Sequence, residues 1–256
     1  MNPVEWNFRI PSAQLCWNTP TSTPNAAAAD SRLIPIAVSA TTIDRNVIAN
    51  VVLQGAAYPS YAFFPNGTPA YDPTWKIPPR NIPLAKEKLQ AAGSPSGFSC
   101  TLLIVPGQVN QAIGQAVQSM AADAGIQVKL QIVEFGTMLH ETDTLQHQAA
   151  FLGWSGRPDP DFDIYPFVTQ SGIGSFNDAG YTNPQVQTLL DAARLLNDMD
   201  QRRRAYRQVT QILADDLPYL WLYFEKEYKL VSTRVHGFIH VPDGMMRFRT
   251  VSLSPQ

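Results

Sequence analysis

The sequence has 256 residues, enough for one large domain or two small ones, and a formal net charge of only -2. Its basic residues are scattered apart from Arg202 to Arg204, which argues against a nucleic-acid-binding protein. No apolar run reaches the roughly 18 to 20 residues that a membrane-spanning helix needs. The two cysteines, Cys16 and Cys100, support neither a disulfide framework nor a zinc site built on cysteine pairs.

The N-terminal region lacks regular patterning. Residues 1–30 contain several prolines and a Thr-Pro-Thr-Ser-Thr-Pro run, so we expect a flexible N-terminal arm. The first residues also lack the charged and apolar blocks of a signal peptide. Isoleucines and valines at helical spacing then predict a helix over residues 43–55, with Gly55 at its C-terminal cap. A loop rich in tyrosine, phenylalanine and proline follows over residues 58–79.

The middle of the chain predicts alternating helices and strands. A short helix over residues 83–92 ends at Gly93, and alternating branched residues predict a strand over 98–105. The pattern continues with a helix over 110–124 and a second strand over 126–133. Because a strand-helix-strand unit normally makes a right-handed parallel crossover, we expect a parallel pair of strands here.

The last third predicts two helices and a buried strand. Asn183 and Pro184 begin one helix, and Asp200 is expected to cap the next, whose arginines should lie in water. The dense aromatic and aliphatic run in residues 218–231 predicts a strand buried on both faces.

The most unusual stretch follows a short apolar strand and covers residues 151–163. It reads Phe-Leu-Gly-Trp-Ser-Gly-Arg-Pro-Asp-Pro-Asp-Phe-Asp. The carboxyl end of a strand is where ligands bind in α/β sheets, and Trp154 and Arg157 would place a flat aromatic face and a five-donor guanidinium there. We interpret the stretch as a recognition loop. The alternative is a polar surface turn with a half-buried tryptophan.

Known enzyme and metal motifs do not fit this sequence. The Gly153–Arg157 segment has arginine where a nucleophile elbow needs its last glycine, and residues 172–177 lack the third glycine of a dinucleotide fingerprint. The aspartates of residues 159–163 imitate a calcium loop, but Ile164 replaces its glycine and Gln170 its bidentate glutamate. We therefore predict no enzyme, no cofactor and no metal.

The order of several short motifs resembles the extracytoplasmic solute-binding proteins of peptide and nickel ABC importers, known as family 5. The resemblance runs from about residue 30 to the end. The motifs that carry it are Asp44-Arg45, Tyr71-Asp72-Pro73, the 85–93 helix, Gly125-Ile126, Gly153-Trp154, Asn183-Pro184 and Leu217-Pro218.

This resemblance implies an α/β fold, a periplasmic-binding-protein type II-like lobe with a mixed sheet flanked by helices. Residues 31–233 would form the second, solute-binding lobe of a two-lobed clamp. Residues 234–256 would be a C-terminal tail that returns toward the missing first lobe, and that lobe or a second copy of the chain would cover the cleft face.

The implied function is solute binding without chemistry, for peptides or peptide-like acidic solutes that an ABC permease on the membrane then imports. The family is periplasmic or extracytoplasmic, whereas the chain as written shows no export signal and would stay in the cytoplasm. The alternative is a truncated structural or regulatory remnant that binds no solute tightly.

One departure from the family predicts the type of solute. Peptide-binding relatives hold the solute's amino group with an aspartate three residues after the tryptophan, and Arg157 stands at that position here. Because a guanidinium pairs with a carboxylate or phosphate, we expect a solute with an acidic group, and Asp159 could take over the amino contact. The predicted solute-binding residues are Trp154, Ser155, Gly156, Arg157, Asp159 and Asp161.

Overall fold

The structure is a computed structural model. It describes residues 40–60, 63–65, 67–72, 79–157, 159–239 and 246–255, together with the backbone of residues 12–17. None of the helices in these ranges is both long and apolar enough to cross a bilayer.

Strands and helices alternate over the centre of the chain, as its hydrophobic periods predict. The described strands are β1 (Ser12–Trp17), β2 (Ala57–Pro59), β3 (Ser99–Ile104), β4 (Gln127–Ile132), β5 (Ala149–Trp154), β6 (Tyr219–Glu225), β7 (Val235–His236) and β8 (Ser252–Leu253). The described α-helices are α1 (Ile82–Ala91), α2 (Gln108–Ala122), α3 (Phe135–Asp143), α4 (Pro160–Val168), α5 (Pro184–Arg194) and α6 (Met199–Asp216). A π-helix (Val47–Val52) and a 3-10 helix (Gln170–Gly172) complete the set.

One six-stranded sheet organises the fold, with strand order β2-β6-β1-β5-β3-β4. Strand β3 runs parallel to β4 and to β5, whereas β1 is antiparallel to β5 and to β6, and β2 is antiparallel to β6. Because α2 connects β3 to β4, the predicted parallel crossover is confirmed. The sheet is mixed, as expected. Strands β7 and β8 form a separate antiparallel pair.

Hydrophobic cores lie on both faces of this sheet. Alternate residues of a strand point to opposite faces, and β6 shows this clearly. Leu220 and Leu222 pack in one core with residues of α2, whereas Tyr219 and Trp221 pack in the other with residues of α5 and α6. The prediction that this strand is buried on both faces is confirmed over 219–224, although the strand ends at Glu225, earlier than predicted.

The N-terminal region differs from its sequence pattern at residues 12–17. These six residues form β1 in the middle of the sheet, where we expected part of a flexible arm. The strand pairs with both β5 and β6, so its stability comes from backbone partners far along the chain, which a local pattern cannot reveal. The other residues of the predicted arm lie outside the described residues.

Two helix starts also differ from the prediction. The polar stretch after β5 turns into α4, because Asp159 caps its N-terminus and Pro160 fits its first turn. The cap of α6 is Asp198, whose side chain accepts a hydrogen bond from the amide of Gln201 at 2.8 Å, so the prediction of Asp200 as the cap is wrong.

The hydrophobic core that Leu222 shares with residues of α2 can be tested by truncation of this side chain, which is fully buried. We expect Leu222→Ala to lower the free energy of unfolding by about 2 to 5 kcal/mol, because it removes buried methyl groups and leaves a cavity. Leu230→Ala is the matched control, since Leu230 is fully exposed, and it should change that free energy by less than about 0.5 kcal/mol. Urea unfolding followed by circular dichroism measures both. Equal losses for the two variants would contradict this packing.

Candidate functional site

The predicted recognition loop lies where the sheet topology places a ligand site. Trp154 is the last residue of β5, a strand with a parallel neighbour, and residues 155–157 connect it toward α4. The carboxyl end of β5 and the N-terminus of α4 therefore meet at this loop. Both positions are typical of ligand-binding sites in α/β proteins.

The indole of Trp154 is half-buried and fixed by two phenylalanines. Its ring meets the ring of Phe167 edge-on at 5.4 Å between centroids, and that of Phe176 at 5.2 Å. Aromatic pairs favour such edge-to-face arrangements, so the ring has one orientation. Phe176 itself is 41% exposed, and the two side chains together give the site an apolar aromatic wall.

The loop that carries Phe176 is held by close backbone contacts. A Cβ atom at Gly172 would lie 1.7 Å from the carbonyl oxygen of Pro166 in α4, so only glycine fits there. Asn177 is buried, and its side-chain amide donates to the carbonyl oxygens of Thr169 (2.9 Å) and Tyr181 (2.7 Å). Phe176 is not among the predicted site residues, because no local sequence pattern marks it.

Arg157 is exposed and lies against the indole of Trp154. Its guanidinium carbon is 5.0 Å from the ring centroid, a cation–π distance. The Nη1 group donates to the carbonyl oxygen of Gly156 at 2.8 Å and to the hydroxyl of Ser155 at 3.3 Å. Within the described residues no carboxylate forms an ion pair with Arg157. The guanidinium therefore retains N–H donors for a carboxylate or phosphate.

Gly156 allows the turn between Trp154 and Arg157. Its φ angle of +69° lies in the left-handed region, which side-chain-bearing residues rarely adopt. A Cβ atom there would meet only an oxygen of Asp163, at 3.8 Å, so the backbone conformation rather than space requires glycine.

Asp163, in α4, lies beneath the loop. Its Oδ1 atom accepts the indole N–H of Trp154 at 3.2 Å and the backbone N–H of Arg157 at 2.7 Å. Burial raises the pKa of this carboxyl group to about 6, although both hydrogen bonds and the positive charge of Arg157 oppose the shift. We did not place Asp163 among the predicted site residues.

The two predicted aspartates, Asp159 and Asp161, face arginines of the protein itself. Asp159 binds the guanidinium of Arg202 with both oxygens, one at 3.0 Å, and this hydrogen bonding lowers the pKa of Asp159 below its usual value. Asp161 is 9% exposed, and its carboxylate pairs with the guanidinium of Arg194. The Nε atom of Arg194 lies 3.0 Å and its Nη2 atom 2.9 Å from the carboxylate oxygens. These pairs tie the start of α4 to α5 and α6.

The prediction that the arginines of α6 lie in water is therefore wrong for Arg202, whereas Arg204 is exposed as predicted. The Arg202 side chain is only 12% exposed and also donates to the hydroxyl of Tyr206 at 2.7 Å. Arg207 forms an ion pair with Asp72 at 3.2 Å. Ion pairing between distant segments explains the difference, because a sequence pattern shows the charge of a residue but not its partner.

Of the six predicted residues, four lie together around the exposed guanidinium and two form anchoring ion pairs. The four are Trp154, Ser155, Gly156 and Arg157, and the two are Asp159 and Asp161. The arrangement offers an aromatic wall beside a cation that has no ion-pair partner among the described residues, which suits a solute with an apolar part and an anionic group. In the ranges that the structure describes, no group of three or more His, Cys, Asp or Glu side chains could hold a metal ion.

Comparisons with known proteins agree with this architecture. The chain is 26% identical over 219 residues to the dipeptide-binding protein of Pseudomonas aeruginosa, a match that covers 83% of this chain and 41% of that protein. It is 28% identical over 220 residues to the glutathione-binding protein GsiB of Salmonella typhimurium, covering 82% of this chain and 43% of that protein. The chain thus spans about four tenths of the length of these relatives.

A solved structure supports the same relationship. HbpA2 from Haemophilus parasuis superimposes with a TM-score of 0.83 at 25% sequence identity, over 97% of this chain and 49% of that one. Residues 40–175, more than half of the chain, match the family model described as the middle region of bacterial extracellular solute-binding proteins, family 5. This chain belongs to the bacterial extracellular solute-binding proteins of family 5.

Proposed function

We propose that this chain is the solute-binding lobe of an ABC importer for peptides or peptide-like solutes, and that it binds without chemistry. The observation that carries the proposal is the exposed guanidinium of Arg157 against the half-buried indole of Trp154, at the carboxyl end of β5. Two similar proteins, whose names state that they bind dipeptides and glutathione, support the peptide-like class.

The solute carries an acidic group, and Arg157 is its contact. In the part of the chain that the structure describes, the guanidinium donates to a backbone carbonyl and a hydroxyl, both of which are weaker partners than a carboxylate. A solute carboxylate would draw it into a bidentate pair and expose more of the Trp154 ring. The freed ring and Phe176 would then pack against the apolar part of the solute.

The six predicted residues have two roles in this proposal. Trp154, Ser155, Gly156 and Arg157 contact the solute, whereas Asp159 and Asp161 hold the loop in place through α5 and α6. An amino group that approached Asp159 would have to share that carboxylate with Arg202. Anchoring is therefore the main role of Asp159.

The partners and location follow the family. A first lobe would supply the second wall of the cleft, and its closure would exclude the water that competes with polar contacts. The assembled clamp would work outside the cytoplasm and deliver its solute to an ABC permease. A second copy of the chain is the alternative cover for this face.

The role of Arg157 can be tested with two dipeptides of equal size. With both peptides as C-terminal amides, we expect the chain to bind Ala-Glu roughly 10- to 150-fold more tightly than Ala-Gln, because only Ala-Glu then carries a carboxylate and a charge-assisted pair adds roughly 1.5 to 3 kcal/mol. Arg157→Ala should abolish this preference, and calorimetry measures all four affinities.

The matched control for that experiment is Arg204→Ala, which removes an exposed arginine of α6 and should leave the preference intact. A preference for Ala-Glu that survives in Arg157→Ala would contradict the assignment of Arg157. Absence of binding to either dipeptide at millimolar concentration would contradict the proposed function and favour a remnant that binds no solute.

The anchoring role of Asp159 can be tested by a double-mutant cycle with Arg202. We expect a coupling free energy of about 1 kcal/mol in unfolding, near the upper end for ion pairs at surfaces, because Arg202 is largely buried. The neighbouring pair Asp200 and Arg203 is more exposed and should couple by about 0.3 kcal/mol. Equal coupling in the two pairs would refute a special anchoring role.

A further inference from the structure

We propose that Asp163 is the positioning residue of this site: its carboxylate sets the orientation of the Trp154 indole and the path of the backbone at Arg157, and so presents both groups to the solute. The inference rests on the proposed function for its meaning, but its geometry stands apart from any solute. Asp163 belongs to α4 and has no need to touch the solute itself.

Two hydrogen-bond donors converge on one oxygen atom of Asp163. Oδ1 of Asp163 accepts the indole N–H of Trp154, the last residue of β5, and the backbone N–H of Arg157, three residues later. The two donors flank the turn at Gly156, so a single oxygen atom bridges the two sides of this turn. Removal of that acceptor would leave a half-buried indole N–H without its partner, which is costly.

Asp163 leaves the charged end of Arg157 unused. It binds the backbone of Arg157 and not the guanidinium, whose hydrogen-bond acceptors within the described ranges are Gly156 and Ser155. The starting point of the side chain is therefore fixed while its charged end remains available. Fixing a contact before binding reduces the ordering cost that a solute would otherwise have to meet.

Two charged side chains act on the carboxyl group of Asp163. Besides its two donors, the charged groups that act on Asp163 are Arg157, which favours its ionised form, and Asp159, which opposes it. Burial outweighs the favourable contributions and raises the pKa to about 6. Between about pH 4 and 6 the carboxyl group of Asp163 is therefore protonated in the folded state but ionised in the unfolded state. Because the folded state binds the extra proton, the contribution of Asp163 to stability falls as pH rises through this window.

Ionisation also changes the two hydrogen bonds. A charged acceptor binds N–H groups about twice as strongly as a neutral one. The indole N–H of Trp154 should therefore report the protonation state of Asp163 directly. If the carboxylate only filled space, its ionisation would not change the resonance of the indole N–H proton.

The first experiment records the indole ¹H–¹⁵N resonance of Trp154 in the full chain, without solute, over about pH 4 to 8. Trp154→Phe identifies the resonance. We expect it to shift with a midpoint near the pKa of about 6, and to lose that titration in Asp163→Asn. Asp215→Asn, which changes an exposed aspartate of α6, should leave the titration intact.

The second experiment measures hydrogen exchange of the Trp154 indole and the Arg157 amide. Asp163→Ala should accelerate both by about tenfold relative to amides of the β3–β4 ladder, whereas Asp163→Asn, which keeps an acceptor oxygen, should accelerate them much less. The ladder amides separate this local effect from global unfolding. If the alanine variant does not fold, the titration of the asparagine variant still decides the matter.

Three results would overturn the proposal: an indole resonance that does not titrate, a titration that persists in Asp163→Asn, or unchanged exchange in a folded Asp163→Ala variant. Neither readout uses a solute. A failure to bind dipeptides would therefore leave both results standing, so failure of this inference is distinguishable from failure of the proposed function.

Discussion

Burial of β5 between two hydrophobic cores determines where the candidate site lies. Phe151 packs on one face of the sheet and Ala150 on the other, so a shift of the strand by one residue would exchange the two cores. The register of β5 is therefore strongly specified, and with it the position of Trp154 at the strand's end. The recognition loop begins from a fixed point of the core, which is why three residues can present an aromatic face and a cation in one geometry.

Three aspartates of one short stretch have three different environments. Asp159 and Asp161 are neutralised by arginines from α6 and α5, whereas Asp163 is partly buried and accepts two N–H groups. From residue type alone, the three aspartates would be expected to contact a solute equally well. Their environments differ instead: two of them pair with arginines, and the third accepts two N–H groups beneath the loop. Among the described residues, the exposed guanidinium of Arg157 has no ion-pair partner, so a stretch rich in carboxylates presents a cation.

The resemblance to family 5 implied the mixed sheet. Periodicity predicted the parallel crossover and the location of Trp154 and Arg157 at a strand end, because these depend on local hydrophobic alternation and on turn residues. Features that depend on distant partners were not predictable. The sequence indicates a solvated arginine face on α6, because it does not show that Asp159 lies close to Arg202 in space. It also does not show that Gly172 packs against α4 in the loop that carries Phe176. The helix signals of Asp159 and Pro160 were visible, but the turn residues around them pointed to a loop.

The central place of β1 has a consequence for how the molecule assembles. Strand β3 pairs with β5 only at Ala149 and Ala150, whereas β1 pairs along its whole length and reaches Trp154. Gln14 joins partners as distant in sequence as Leu152 and Trp221. Contacts of such high contact order close large loops at an entropic cost and form slowly. We therefore expect the strand end that bears the indole to gain this lateral hydrogen-bonding neighbour after the β3–α2–β4 unit has formed, because the contacts of that unit are local.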